Sequence, residues 1–278
     1  MEATMSTWLS HPAIQSGVAP FVAALVVAAV LGQARRLAGA AAILAGLCVT
    51  VGWVTGFGMT PFTSTRKIIL VALAVAPAAV ALEGAPVAAR ARLALWFGVG
   101  AAAIVWVGWP VLARRTPLEA VRVGLPLVLY CGWVTGASGR ASGDLLRTSS
   151  GVTALGLATG AAVIFGASAL LGQLALALGS AAGGVLVVHL VRGNLGGAAA
   201  VGAAAGLPIA LLGAAATLYA RMPVMALLPL ALIPLAPLLP LPDRLPRWVR
   251  AATLFAVALA PGVVAIVLTY RAAGPVPF

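Results

Sequence analysis

Apolar runs near 20 residues long recur from one end of the chain to the other, and polar positions collect in the short breaks between them. A hydrocarbon core of ~30 Å needs about 20 residues of α-helix, so each run is long enough to cross a bilayer. Ten such segments are legible, at 17–34, 37–57, 68–85, 93–113, 118–137, 151–171, 174–191, 197–220, 224–241 and 251–270. The expected fold class is all-α, a polytopic transmembrane helix bundle of about ten spans, with 1–278 forming a single integral membrane domain. Two spans are irregular. The seventh is Gly-rich with poorly marked ends, and the ninth holds Pro229, Pro234, Pro237 and Pro240. Each proline removes an amide donor and crowds the preceding turn, so the ninth span is expected to be kinked, with neighbouring helices covering the freed carbonyls. The longest polar stretch, 138–150, reads as a loop. The first 15 residues lack the basic start and cleavage site of a signal peptide, so the first span is expected to be retained.

One stretch occurs twice. Gly52-Trp53-Val54-Thr55-Gly56 recurs as Gly132-Trp133-Val134-Thr135-Gly136, 80 positions later. Each copy closes an apolar run and is followed by a hydroxyl-rich loop with basic residues. The copies fall in spans two and five, and an odd offset reverses direction across the membrane. Repeat units around 37–113 and 117–192 would then be related by inversion. The glycines lie at the small-x-x-x-small spacing that lets helix backbones approach in lipid, and Trp suits the membrane interface. Helix packing is therefore the expected role of Gly52, Trp53, Gly56, Gly132, Trp133 and Gly136, with lining of a substrate path as the alternative. The same spacing recurs at Gly156 and Gly160, Gly179 and Gly183, Gly193 and Gly197, and Gly202 and Gly206.

Composition removes whole classes. The chain is 63% hydrophobic and 8% charged, leaving no stretch for a soluble domain with its own core; soluble domains carry roughly 25% charged residues. The net charge of +12 comes from 17 basic residues scattered between apolar runs. That is how arginine fixes topology and holds lipid headgroups. A nucleic-acid partner would need a clustered basic face, and none is expected. With the amino terminus outside, the inner loops hold Arg35, Arg36, Arg90, Arg92, Arg140, Arg147, Arg192, Arg244, Arg247 and Arg250. The outer side holds Arg66, Lys67, Arg114, Arg115, Arg122, Arg221 and Arg271, so the bias favours that orientation in a bacterial-type inner (plasma) membrane.

Candidate chemistry is sparse. Thr60, Thr63, Ser64 and Thr65 precede Arg66 and Lys67, and Ser142, Arg147, Thr148, Ser149 and Ser150 form a second hydroxyl-rich group. Hydroxyl caps, free amides and cations at a helix start suit an anion. Arg66, Lys67, Arg140 and Arg147 are thus the candidate anion or lipid-headgroup contacts, against the plainer expectation that these groups cap helices and touch lipid phosphates. The acids are Glu2, Glu83, Glu119, Asp144 and Asp243. Glu83 is expected at headgroup level near Arg90, Glu119 should pair with Arg122 on one helix face, and Asp144 stands alone in its loop. Cys48 and Cys131 do not align within the repeat, and buried thiols are usually inert. His11 and His189 have no second ligand near them, so neither metal nor haem nor any other cofactor is expected. No nucleophile–base set points to an enzyme. The expectation is a non-catalytic integral membrane subunit of a larger assembly, touching lipids and other membrane proteins; the alternative is a small-solute or anion transporter built on inverted repeats.

Overall fold

Length and apolarity decide most of the architecture. Among the described residues, nine helices are long and apolar enough to cross a membrane, and the chain is a multi-pass membrane protein in contact with lipid. The computed structural model describes residues 11–58, 60–140, 143–242 and 244–274. Glu2, Ser142, Asp243 and the Arg35 side chain lie outside the described residues.

The long helices are α1 (Ile14–Gln33), α2 (Arg35–Val54), α3 (Ser64–Gly84), α4 (Ala89–Leu112), α5 (Pro117–Gly139), α6 (Leu145–Phe165), α7 (Ala169–Arg192), α8 (Ala198–Tyr219) and α10 (Arg247–Ala273). Their starts follow capping chemistry. Thr63 accepts the Arg66 amide, Thr116 and Glu119 form a capping box before α5, and Asp144 accepts the Arg147 amide. The Thr63 cap is the plain structural role foreseen for that hydroxyl loop. The stretch 138–150 is mostly helix: α5 runs to Gly139 and α6 starts at Leu145. Glu119 turns to its cap at Thr116 and makes no ion pair with Arg122.

The helices alternate in direction. At one face the end of α2 meets the start of α1, where Thr50 Oγ1 donates to Gln15 O at 2.8 Å, and Phe165 stacks edge-on against Tyr270. We call this the terminal face, since both described ends of the chain lie there. At the far face Arg192 donates to Ala29 O, Glu83 accepts the Ala200 amide, and Arg250 lies 3.7 Å from Asp144.

Helix α8 is the axis of the bundle, with every residue from Ala198 to Ala216 buried. Its small Ala and Gly residues let α3, α5 and α6 close around it. Gly202 and Gly206 sit directly against Ser138 of α5. Helices α6 and α7 touch backbone to backbone, Gly156 on Gly179 and Gly160 on Gly172. Lipid chains are as apolar as the helices and give no hydrophobic drive between them, so such close van der Waals contact holds the pair together.

The ninth apolar run departs most from a continuous helix. It is broken into a 3-10 turn at Val224–Ala226, the short helix α9 (Leu227–Leu232) and a 3-10 stretch at Ile233–Leu238. It still crosses. Arg221 N donates to Gly166 O at the terminal face, and the Arg147 guanidinium reaches Pro237 O and Leu239 O at the far face. The 15 residues of 224–238 cover ~27 Å because 3-10 turns rise ~2.0 Å per residue, close to the ~30 Å of a 20-residue α-helix. Among the described residues, nine long helices and one interrupted crossing make ten passes, with both described ends on one face.

The duplicated stretch lands at opposite faces, Trp53 near the end of α2 and Trp133 toward the far end of α5. Helices α2 and α5 nevertheless share no extended interface.

Candidate functional site

Four prolines in one crossing leave carbonyls without amide partners, and two side chains from neighbouring helices supply the missing donors. In a 3-10 stretch the amide of residue 234 would bond Ala231 O, but residue 234 is proline. Trp133 Nε1 donates to Ala231 O instead, at 2.8 Å. The amide of residue 240 would bond Pro237 O, and residue 240 is again proline. Arg147 Nη1 donates there at 3.0 Å and to Leu239 O at 2.7 Å. Its Nε is held by Asp144 Oδ2 at 3.1 Å, and Arg250 of α10 flanks the same carboxylate. Asp144 is therefore the junction of α6, α10 and the interrupted crossing. Its place in sequence, isolated among loop residues, hid this.

Beside this junction lies a cavity of about 130 Å³. Helix α5 contributes Trp133, Ser138 and Arg140, α6 contributes Asp144, Thr148 and Leu155, and Pro234 and Pro237 of the interrupted crossing close it. Leu155 is 11 residues beyond Asp144, so the cavity descends ~16 Å along α6, to mid-span. Its mouth is polar and its depth apolar. Arg140 is exposed at the mouth and has no acidic partner among the described residues.

The structure separates the four cations singled out in sequence. Arg140 and Arg147 share the cavity at the far face. Arg66 and Lys67 lie at the terminal face, where Arg66 Nη1 donates to Pro61 O at 3.0 Å. Lys67 Nζ donates to Trp106 O at 3.1 Å and lies 5.3 Å from the Trp106 ring centroid. Thr55 bonds the Val51 carbonyl at the end of α2. Thr135 is buried against α4. These groups do not border one route.

Of the six packing residues, Gly132 and Gly136 lie against α4. A Cβ on Gly132 would be 2.9 Å from the Phe97 ring, and one on Gly136 would be 3.1 Å from Leu93 O. Gly52 meets only Phe57 of its own loop, and Gly56 meets nothing within 4 Å. Trp53 is 48% exposed. Cys131 is buried with its thiol toward Ala210 O, and Cys48 is partly buried on α2. His189 is partly buried near the far end of α7. Glu83 sits at the far face, as its neighbours implied, but its carboxylate accepts the Ala200 amide at 3.3 Å.

Sequence reasoning missed Trp133 as a donor, and it missed the Asp144–Arg250 contact. The signal for the first was the density of prolines, which demands donors without naming them. No family model, curated protein or solved structure matches this chain.

Proposed function

We propose that the chain binds a small anionic solute in the cavity beside the interrupted crossing and carries it across a bacterial-type inner membrane. One conjunction supports this. A cation without an acidic partner among the described residues, Arg140, stands at the mouth of a cavity that reaches mid-span along the crossing that is not a continuous helix. Transporters place solute sites near the bilayer midplane where helices are interrupted, because backbone groups there are free to bind and the chain can change shape. Arg140 would supply charge, Ser138 and Thr148 hydroxyls, and Leu155 the floor that limits solute length. Arg147 is committed to the crossing and would act on its shape.

The test uses the full chain in lipid nanodiscs with a panel of small carboxylates, phosphate and sulfate. One anion should raise the unfolding temperature saturably, by the equivalent of ~2.7 kcal/mol at a hundredfold excess over Kd. Arg140→Gln and Leu155→Trp should each remove that shift, and the same anion should enter proteoliposomes. A panel without a saturable shift would sink the proposal.

The second reading, a non-catalytic subunit of a larger membrane assembly, has its own observation. The outer sides of α4 and α5 form an apolar trough that includes Val105, Trp109, Val121 and Leu125, and a partner helix could lie in it. Co-purification of a stoichiometric membrane protein in mild detergent, lost in Leu125→Arg, would favour this reading. An isolated monomer that binds solute would favour the first. Both readings keep the amino terminus outside, resting on the ten-to-seven basic bias.

A further inference from the structure

Helices α3 and α4 are antiparallel and joined by a turn of only four residues, 85–88, yet they do not close on one another. A cleft of about 620 Å³ separates them and reaches Leu207 on the central helix α8. Its α3 wall runs through Val71, Val75, Ala78 and Leu82, and its α4 wall runs through Leu95, Val99, Ala102 and Trp106. Both walls follow helical spacing, so the cleft is continuous from Val71 to Leu82 of α3, or ~16 Å. Every lining residue is apolar. It opens sideways, toward hydrocarbon.

We propose that this cleft is a binding groove for an acyl chain of an anionic phospholipid, whose phosphate is held by Arg92. The two ends of the groove give its direction. At the terminal face Lys67 and Phe62 both pack on Trp106, which closes that end. At the far face Arg92 lies one turn before Leu95 and Trp96, on the same stripe of α4. Its Nε is buried and has no hydrogen-bond partner among the described residues. The rest of this half-buried guanidinium has no ion pair among the described residues, and a phosphate that meets its charge offsets the cost of holding it there. Arg90 is exposed two residues away and adds to the field. The nearest acid along α3, Glu83, is turned to the Ala200 amide.

A phospholipid carries its phosphate where its hydrocarbon ends. That is the relation between Arg92 and the apolar cleft. A partner helix would need an acidic residue at that one level. The groove shares no residue with the cavity beside the interrupted crossing, so the two proposals stand or fall separately.

The experiment counts lipids retained by the full chain. Protein purified from nanodiscs containing equal palmitoyl-oleoyl phosphatidylglycerol and phosphatidylcholine is released into mild detergent and examined by native mass spectrometry. The wild type should keep one phosphatidylglycerol with roughly tenfold preference over phosphatidylcholine, as a charge-assisted pair would give. Arg92→Gln should keep a lipid but lose the preference, and Ala102→Phe should lose the lipid. Circular dichroism checks that each variant is folded, and if Ala102→Phe does not fold, Arg92→Gln decides alone. Equal retention of both lipids by the wild type would overturn the proposal. So would an unchanged preference in Arg92→Gln, or a polypeptide instead of lipid captured by a photo-crosslinker at Ala102.

Discussion

The same five residues occur twice in this chain and do different work. In the first copy, α2 stops: Val54 ends the helix, and Gly56 takes φ +66°, a backbone state that favours glycine. Trp53 projects from the bundle, and Gly52 faces its own loop. In the second copy, α5 continues through the stretch to Gly139. Gly132 and Gly136 admit α4, Thr135 is buried against Gly100, and the Trp133 indole replaces a missing proline amide in the interrupted crossing. The lesson is that a motif carries a list of abilities. A glycine can approach or turn left-handed, and a Trp can anchor at an interface or donate from it. Position in the bundle selects which ability is used.

The largest contrast should come from filling the glycines. Gly132→Leu would drive a branched side chain into the Phe97 ring and force α4 from α5, costing about 3 kcal/mol. Gly52→Leu would displace only the exposed Phe57 and should cost less than about 1 kcal/mol. Thermal unfolding of the two variants in one detergent measures the gap, and equal losses would erase the comparison.

The arginines that follow the copies should differ next. Arg147→Gln removes charge-assisted bonds to two carbonyls and to Asp144, at about 2–3 kcal/mol. Arg66→Gln loses a bond to Pro61 O at the surface and should stay within about 1 kcal/mol. Hydrogen exchange on the interrupted crossing would register the first variant and not the second.

The tryptophans give a smaller contrast. Trp133→Phe leaves Ala231 O without its donor and should cost about 1–2 kcal/mol, whereas Trp53→Phe should be near neutral. Chemical unfolding of the two single variants resolves this.

One substitution should reverse the order. Gly56→Ala puts a Cβ on a left-handed residue, at about 1 kcal/mol. Gly136→Ala gains helix propensity of about 1 kcal/mol that offsets a tight contact with Leu93, leaving little net change. If the unfolding midpoint of Gly136→Ala fell further, the second copy would be the tighter site throughout.

Much of the fold was legible because crossing a bilayer is a local property. Whether a run such as 198–219 is long and apolar enough depends on its own residues, so the spans and their alternation could be read off the chain. The prolines of the ninth run announced trouble with the backbone, and the crossing is indeed interrupted, more thoroughly than a kink. The cavity was only half legible. Arg140 and Arg147 stood out as loop cations, but their residue type did not say that one stays at the mouth while the other braces the crossing.

The sequence by itself determined that this chain is a bundle of membrane-crossing helices, roughly where they lie, and that one crossing would lack backbone donors. Those outcomes follow from run length, capping residues and proline chemistry, which act within a few positions. Only the tertiary structure decided that α8 is the buried axis, that Asp144 joins three elements, and that one copy of a repeated stretch packs while the other ends a helix. In lipid every apolar helix is equally soluble on all sides, so hydrophobicity cannot say which face turns inward. Close backbone approach and the need to satisfy particular carbonyls make that choice, and both are properties of neighbours far apart in the chain.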